Sequence, residues 1–241
     1  MKVHTLFGLT LQMLLALPAH AAMPDLTIVA PQGLQACSSD NPMREGLKVM
    51  ANAAASTLAG CFQSAETIEV HDDAKSITVP RARADALFIK GNNDYRFTRD
   101  DFESLKATIK SQWAHYAPKD GKQSKKHQER VNALLADISQ AQHLPTAQVQ
   151  ALDAPILVKF DESVPDRYIV TSIRKRTIRV GTDSYTAVAV ESAAIVYKSG
   201  ALVRLDFSRH LVQQSDIDSA MQSEGAWVDQ VSAGSSGQAS E

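Results

Sequence analysis

Residues 168–231 constrain the fold more than any other stretch. Tyr168 to Ile173 is rich in β-branched and aromatic side chains. Tyr185 to Tyr197 (YTAVAVESAAIVY) is a second such run, and after Lys198-Ser199-Gly200 comes a third, Ala201 to Val212 (ALVRLDFSRHLV). In the third run Val203, Leu205 and Phe207 alternate with Arg204, Asp206 and Ser208. Side chains on a strand point alternately to opposite faces, so this pattern predicts one apolar and one wet face. Two β runs around a short Gly-containing break read as a hairpin. Ser215 then reads as a helix N-cap, with Asp218 placed to favour the positive helix end. Ile217, Ala220, Met221, Val228 and Val231 fall on one face of that helix. The C-terminal part is therefore expected to be strand, strand, strand, helix, with antiparallel pairing and the helix over the apolar face.

Upstream, Leu26 to Ala30 ends at Pro31 and reads as a first strand, followed by loop to Asp40. Asn41-Pro42 is a strong helix start. Met43, Leu47, Met50, Ala51, Ala54, Leu58 and Cys61 recur at three and four, which predicts a helix over 43–59 with Cys61 on its buried face. Thr67–Val70 and Ser76–Val79 are expected to pair as a hairpin, and Ala86–Ile89 to be a further strand. Thr98-x-x-Asp101 resembles a capping box and opens a helix with Phe102, Leu105, Ile109, Trp113 and Tyr116 inward. A second helix is expected from Ser124 to about Gln142, which makes residues 98–143 an inserted αα-hairpin. Ile156–Phe160 is a strand leading into the C-terminal region. Ser232 to Glu241 reads as a disordered tail. The predicted fold class is α+β: one domain over 22–231, a twisted antiparallel sheet flanked by helices.

The first 21 residues read as a secretory signal. Lys2 supplies the positive start, Thr5–Leu17 a mostly apolar core of 13 residues, and Ala19-His20-Ala21 the small-x-small cleavage pattern. No apolar run is long enough for a transmembrane helix. The expected location is the periplasm or outside the cell. In an oxidising compartment the two cysteines, Cys37 and Cys61, favour one structural disulfide; their spacing is neither CxxC nor a zinc pattern. A helix over 43–59 would be roughly 25 Å long at 1.5 Å per residue, so the bridge would require the preceding loop to fold back along it.

Net charge is −2, so nothing draws the chain globally to nucleic acid or to an anionic membrane. Two basic clusters stand out: Lys119 to Arg130, with Lys125 and Lys126 at its centre, and Arg174-Lys175-Arg176 with Arg179. The first reads as a solvated loop and helix start, the second as charges guarding a strand edge. If the two meet in space, Lys125, Lys126, Arg174 and Arg176 would form an anion-binding surface. His71-Asp72-Asp73 reads as a polar turn rather than half of a metal site, because sequence neighbours on a strand face opposite ways. Ser192, Asp206 and His210 do not read as a catalytic triad, since no nucleophile elbow surrounds Ser192. Trp113, Tyr116 and Trp227 read as apolar anchors. No catalytic residue, metal ligand or cofactor motif is assigned.

The run ALVRLDFSRHLV followed by SDIDSAMQSEGAWV, with the strand ending Thr78-Val79-Pro80, resembles the α/β/α sandwich of Mog1/PsbP-type domains. That resemblance implies a twisted antiparallel sheet with helices on both sides, and it leans toward an assembly or accessory role. The functional expectation is a non-catalytic exported module that binds a partner or an anionic ligand. The alternatives are a secreted hydrolase with an unfamiliar site, favoured by a polar cleft with perturbed carboxylates or His, and a secreted factor acting outside the cell.

Overall fold

The computed structural model describes residues 28–72, 75–90, 96–114, 116, 129 and 155–233. Their framework is a seven-stranded antiparallel sheet with three helices and a separate two-stranded hairpin. In chain order the elements are β1 (Leu34–Ala36), α1 (Pro42–Ala53), β2 (Ser56–Ser64), β3 (Thr67–Asp72), β4 (Lys75–Pro80), β5 (Ala82–Ile89), α2 (Arg99–Trp113), β6 (Ile156–Asp161), β7 (Arg167–Val180), β8 (Asp183–Lys198), β9 (Ala201–His210) and α3 (Ser215–Ala233). The strand order is β1-β2-β5-β9-β8-β7-β6, and β3 pairs with β4 outside that sheet. The long β7, β8 and β9 are the predicted C-terminal strands. Ser199 and Gly200 carry φ of 51° and 82° in the β8–β9 turn, the left-handed pair a two-residue hairpin needs to match strand twist.

Alternation divides the sheet cleanly. One face carries Ala84, Ala86, Val190, Ala194, Val203, Leu205 and Phe207, and α3 closes it with Ile217, Ala220, Trp227, Val228 and Val231. The other carries Ile89, Tyr168, Val170, Ile195 and Leu202, covered by Phe102, Leu105 and Trp113 of α2. The Phe102 ring packs against Tyr168 at 6.1 Å and Tyr197 at 5.9 Å. Thr98 caps α2 as its sequence suggested: its hydroxyl accepts from the Asp101 amide and its own amide donates to the Asp101 carboxylate. Trp113 and Trp227 are both buried, as apolar anchors should be.

Three expectations are corrected. Residues 28–30 lie outside any strand; the Val29 carbonyl accepts from the Trp227 indole at 2.9 Å instead of from a ladder, and the first strand is Leu34–Ala36. The first helix stops at Ala53. The amide of Ala54 bonds back to Met50 and Ala51, Ala55 takes a φ of 48°, and the chain reverses into β2. The period-three-and-four stripe misled because Met50 within it is 67% exposed, and Ala54, Leu58 and Cys61 fall beyond the helix end. Gly60 marks the strand: a Cβ there would meet the Phe62 ring at 2.5 Å. Cys61 is consequently a strand residue, and the disulfide no longer needs a loop running back along a helix. Cys37 follows β1, its amide donates to the Cys61 carbonyl at 2.8 Å, and the two cysteines are bonded across neighbouring strands. The Ser124–Gln142 helix, and with it the αα-hairpin, lies outside the described residues, as does the C-terminal tail from 234. No helix among the described residues is long and apolar enough to cross a membrane.

Candidate functional site

Directly opposed residues of an antiparallel pair share a face, so the register places every polar side chain. On the α2 face, β8 presents Ala187, Ala189, Glu191 and Ala193 before the aromatic region begins at Ile195. Arg174 and His210 flank Ala189, Ser172 and Ser208 flank Glu191, and Val170 and Asp206 flank Ala193. Beyond β9, Arg83 lies opposite Ser208 and Asp85 opposite Asp206, and Asp85 in turn faces Cys61 of the disulfide. The register thus gathers these polar side chains on one face of the sheet, across β7, β8, β9 and β5.

Ion pairs link these strands. Arg176 Nε donates to Glu191 Oε1 at 2.6 Å, while Arg174 Nε lies 3.4 Å from Glu191 Oε2, so one carboxylate serves two guanidiniums. Arg174 also sits 5.3 Å above the Trp113 ring. Arg204 Nη2 donates to Asp206 Oδ1 at 2.9 Å, and its Nε lies 2.7 Å from Oδ2 in the same ion pair. Burial, then the Asp206 carboxylate opposite, push Asp85 well above the usual carboxylate range, against the pull of Arg204. Burial and then Arg176 lower His210 to about 4, so its ring is neutral at neutral pH. On this face the Tyr168 hydroxyl, on a residue 1% exposed, and Nδ1 of His210, on a residue 9% exposed, are buried without a hydrogen-bond partner among the described residues.

The residues singled out in the sequence fall as follows. Arg174 and Arg176 are brought together on one face of β7; Lys125 and Lys126 lie outside the described residues, as does the Arg179 side chain. Ser192, Asp206 and His210 do not converge. Ser192 opposes Phe207 on the α3 face and bonds to the Thr171 hydroxyl at 2.9 Å, whereas Asp206 and His210 lie on the α2 face. His71 closes β3 near the hairpin tip, 3.4 Å from Glu69, and no group of three metal-ligating side chains occurs among the described residues. Sequence reasoning missed Asp85, Glu191 and Arg204. Their signal was present as charges inside otherwise apolar strand runs, but the polar positions of β9 read simply as a wet face, and nothing local told which strands would stand beside it.

Comparison of the chain with protein-family models, with curated proteins and with solved structures returns no match.

Proposed function

We propose that this is an exported accessory protein that binds rather than converts its ligand, and that an anionic group, phosphate or carboxylate, docks on the α2 face of the sheet at Arg174 and Arg176. The observation that carries the reading is two guanidiniums at one carboxylate: Arg174 and Arg176 both contact Glu191, with side chains still 30% and 25% exposed. Planar guanidiniums are the side chains best fitted to pair with an oxyanion. The leader-like residues 1–21, the disulfide and the resemblance to Mog1/PsbP-type domains support export and an accessory role. The test is native mass spectrometry of protein purified gently from the exported fraction, followed by thermal-shift titration with the anion that co-purifies. Wild type is expected to carry the anion, and R174E/R176E, circular dichroism unchanged, to lose it. Equal binding by both proteins would remove this face from consideration.

A second reading has its own observation. Asp85 faces Asp206 with Asp85 inclined to keep its proton, and two carboxyls on neighbouring strands are the kind of pair hydrolases use for acid–base work. Turnover of any ester, glycoside or peptide that is abolished in D85N and retained in R174E/R176E would favour it over binding alone.

A further inference from the structure

We propose that the solvent-facing side of α1 pairs with the same helix of a second copy of this chain, antiparallel across a two-fold axis. The inference uses none of the residues of the anion reading and stands apart from it.

α1 has two apolar sides. Ala51 is buried and Leu47 half-buried, and they turn one side to the molecule. Pro42, Gly46, Val49, Met50 and Ala53, spaced by three and four, form a second stripe on the other side. All five are exposed, Val49 by 69% and Met50 by 67%. Single exposed apolar residues are ordinary; an unbroken stripe of them marks a contact. Gly46 is a second sign. Glycine inside a helix weakens it, and is kept where its φ or its small size is needed. Gly46 is not among the positive-φ glycines, and a Cβ there would meet no described atom within 4 Å, so the fold of one copy does not call for glycine. The stripe is complementary to itself, which is what a two-fold contact requires. Residues 46 and 49 share a midpoint with residues 42 and 53. In an antiparallel crossing, Val49 of each copy therefore enters the space over Gly46 of the other, and Pro42 meets Ala53, large against small. Glu45 and Lys48, an exposed pair 2.6 Å apart, lie on one flank of the stripe. Antiparallel helices bring like flanks together, so Glu45 of each copy comes beside Lys48 of the other and the four charges alternate. A lipid surface would cover the stripe without meeting that order of size and charge. A helix of 12 residues buries little area, so the pair is a reversible dimer rather than an obligate one.

The experiment is sedimentation velocity on protein purified from the exported fraction. Wild type is expected to pass from monomer to dimer between about 1 μM and 1 mM, the range for a contact this small. V49D puts an unpaired carboxylate into the contact and should raise the dissociation constant about a hundredfold, with circular dichroism unchanged. G46L fills the space that the second copy's Val49 needs, yet is a better helix former. It should weaken the dimer while raising the melting temperature of the monomer, which a merely structural glycine would not do. E45K should weaken the dimer several-fold, and E45K/K48E should restore it, because the exchange keeps opposite charges facing across the axis. A wild type still monomeric at about 1 mM overturns the proposal. So does a dimer that V49D and G46L leave intact, which would use another surface. A complex with a different protein, seen by native mass spectrometry and lost in V49D, would assign the stripe to that protein and overturn the second copy.

Discussion

Asp216 shows how much one side chain can do at the start of a helix. One oxygen accepts from the Val212 and Gln213 amides at 2.9 Å each; the other accepts from Arg209 Nε at 2.7 Å and Arg81 Nη2 at 2.8 Å. Glu66 reaches Arg81 from the solvent side. Burial alone would raise the Asp216 pKa, but the hydrogen bonds from Arg209, the two amides and Arg81 outweigh it and hold the group below the usual carboxylate range. A depressed carboxylate contributes stability that is full at neutral pH and is lost as pH falls below about 4. Asp216→Asn should therefore destabilise the protein by about 3 kcal/mol at pH 7, the cost of leaving buried charges unmatched, and the gap to wild type should close as the pH is lowered into that range; urea unfolding at pH 7 and pH 3 measures both. The sequence assigned the cap to Ser215 and the charge to Asp218, within three residues of the right place. It could not name Asp216, because its partners Arg81 and Arg209 lie on β5's approach and on β9.

At the scale of elements, β1 is the weakest piece of the sheet and the disulfide is what compensates. It has three residues and one neighbour, β2, along which Ala36 opposes Phe62. The Cys37–Cys61 bond, with a sequence separation of 24, constrains the unfolded chain by about 3 kcal/mol in the loop-entropy account. C37S/C61S should lower stability by about 2–4 kcal/mol, and its first effect should be faster hydrogen exchange at residues 34–37 and in the partner amides of β2, with β7 to β9 unaffected. Exchange that accelerates evenly over the whole sheet would show that β1 is not a separate unit. Elements were most legible where pattern and local chemistry agreed, as in the Thr98 cap and the β8–β9 hairpin. They were least legible at residues 54–61, where alanines and leucines fit a helical period while Ala55 turns the chain and Gly60 lies under Phe62.

For the whole molecule the telling group is Glu224, in the middle of the stripe that α3 turns toward the sheet. It is fully buried, and neither carboxyl oxygen has a hydrogen-bond partner among the described residues. Burial, then Asp206 and Asp85 through the sheet, raise its pKa well above the ordinary value. A raised carboxyl contributes stability that is full below the unfolded value of 4.5 and is lost as pH rises toward the folded one, the opposite slope to Asp216. Glu224→Met, which keeps the volume and removes the orphaned oxygens, should stabilise the fold by about 1–3 kcal/mol, by a margin that widens as pH climbs above 4.5; thermal melts across pH 4–8 would read it, and a pH-independent difference would sink the argument. By itself the sequence determined the α+β class, the C-terminal strands and closing helix, and the pairing of its two cysteines, because each follows from local periodicity, turn chemistry or a simple count. Only the tertiary structure decided that Asp85 faces Asp206, that Arg174 and Arg176 share Glu191, and that Glu224 is sealed beneath the sheet. Those relations depend on strand order, β5 beside β9 beside β8 beside β7, and strand order is set by which apolar faces pack together across the whole chain.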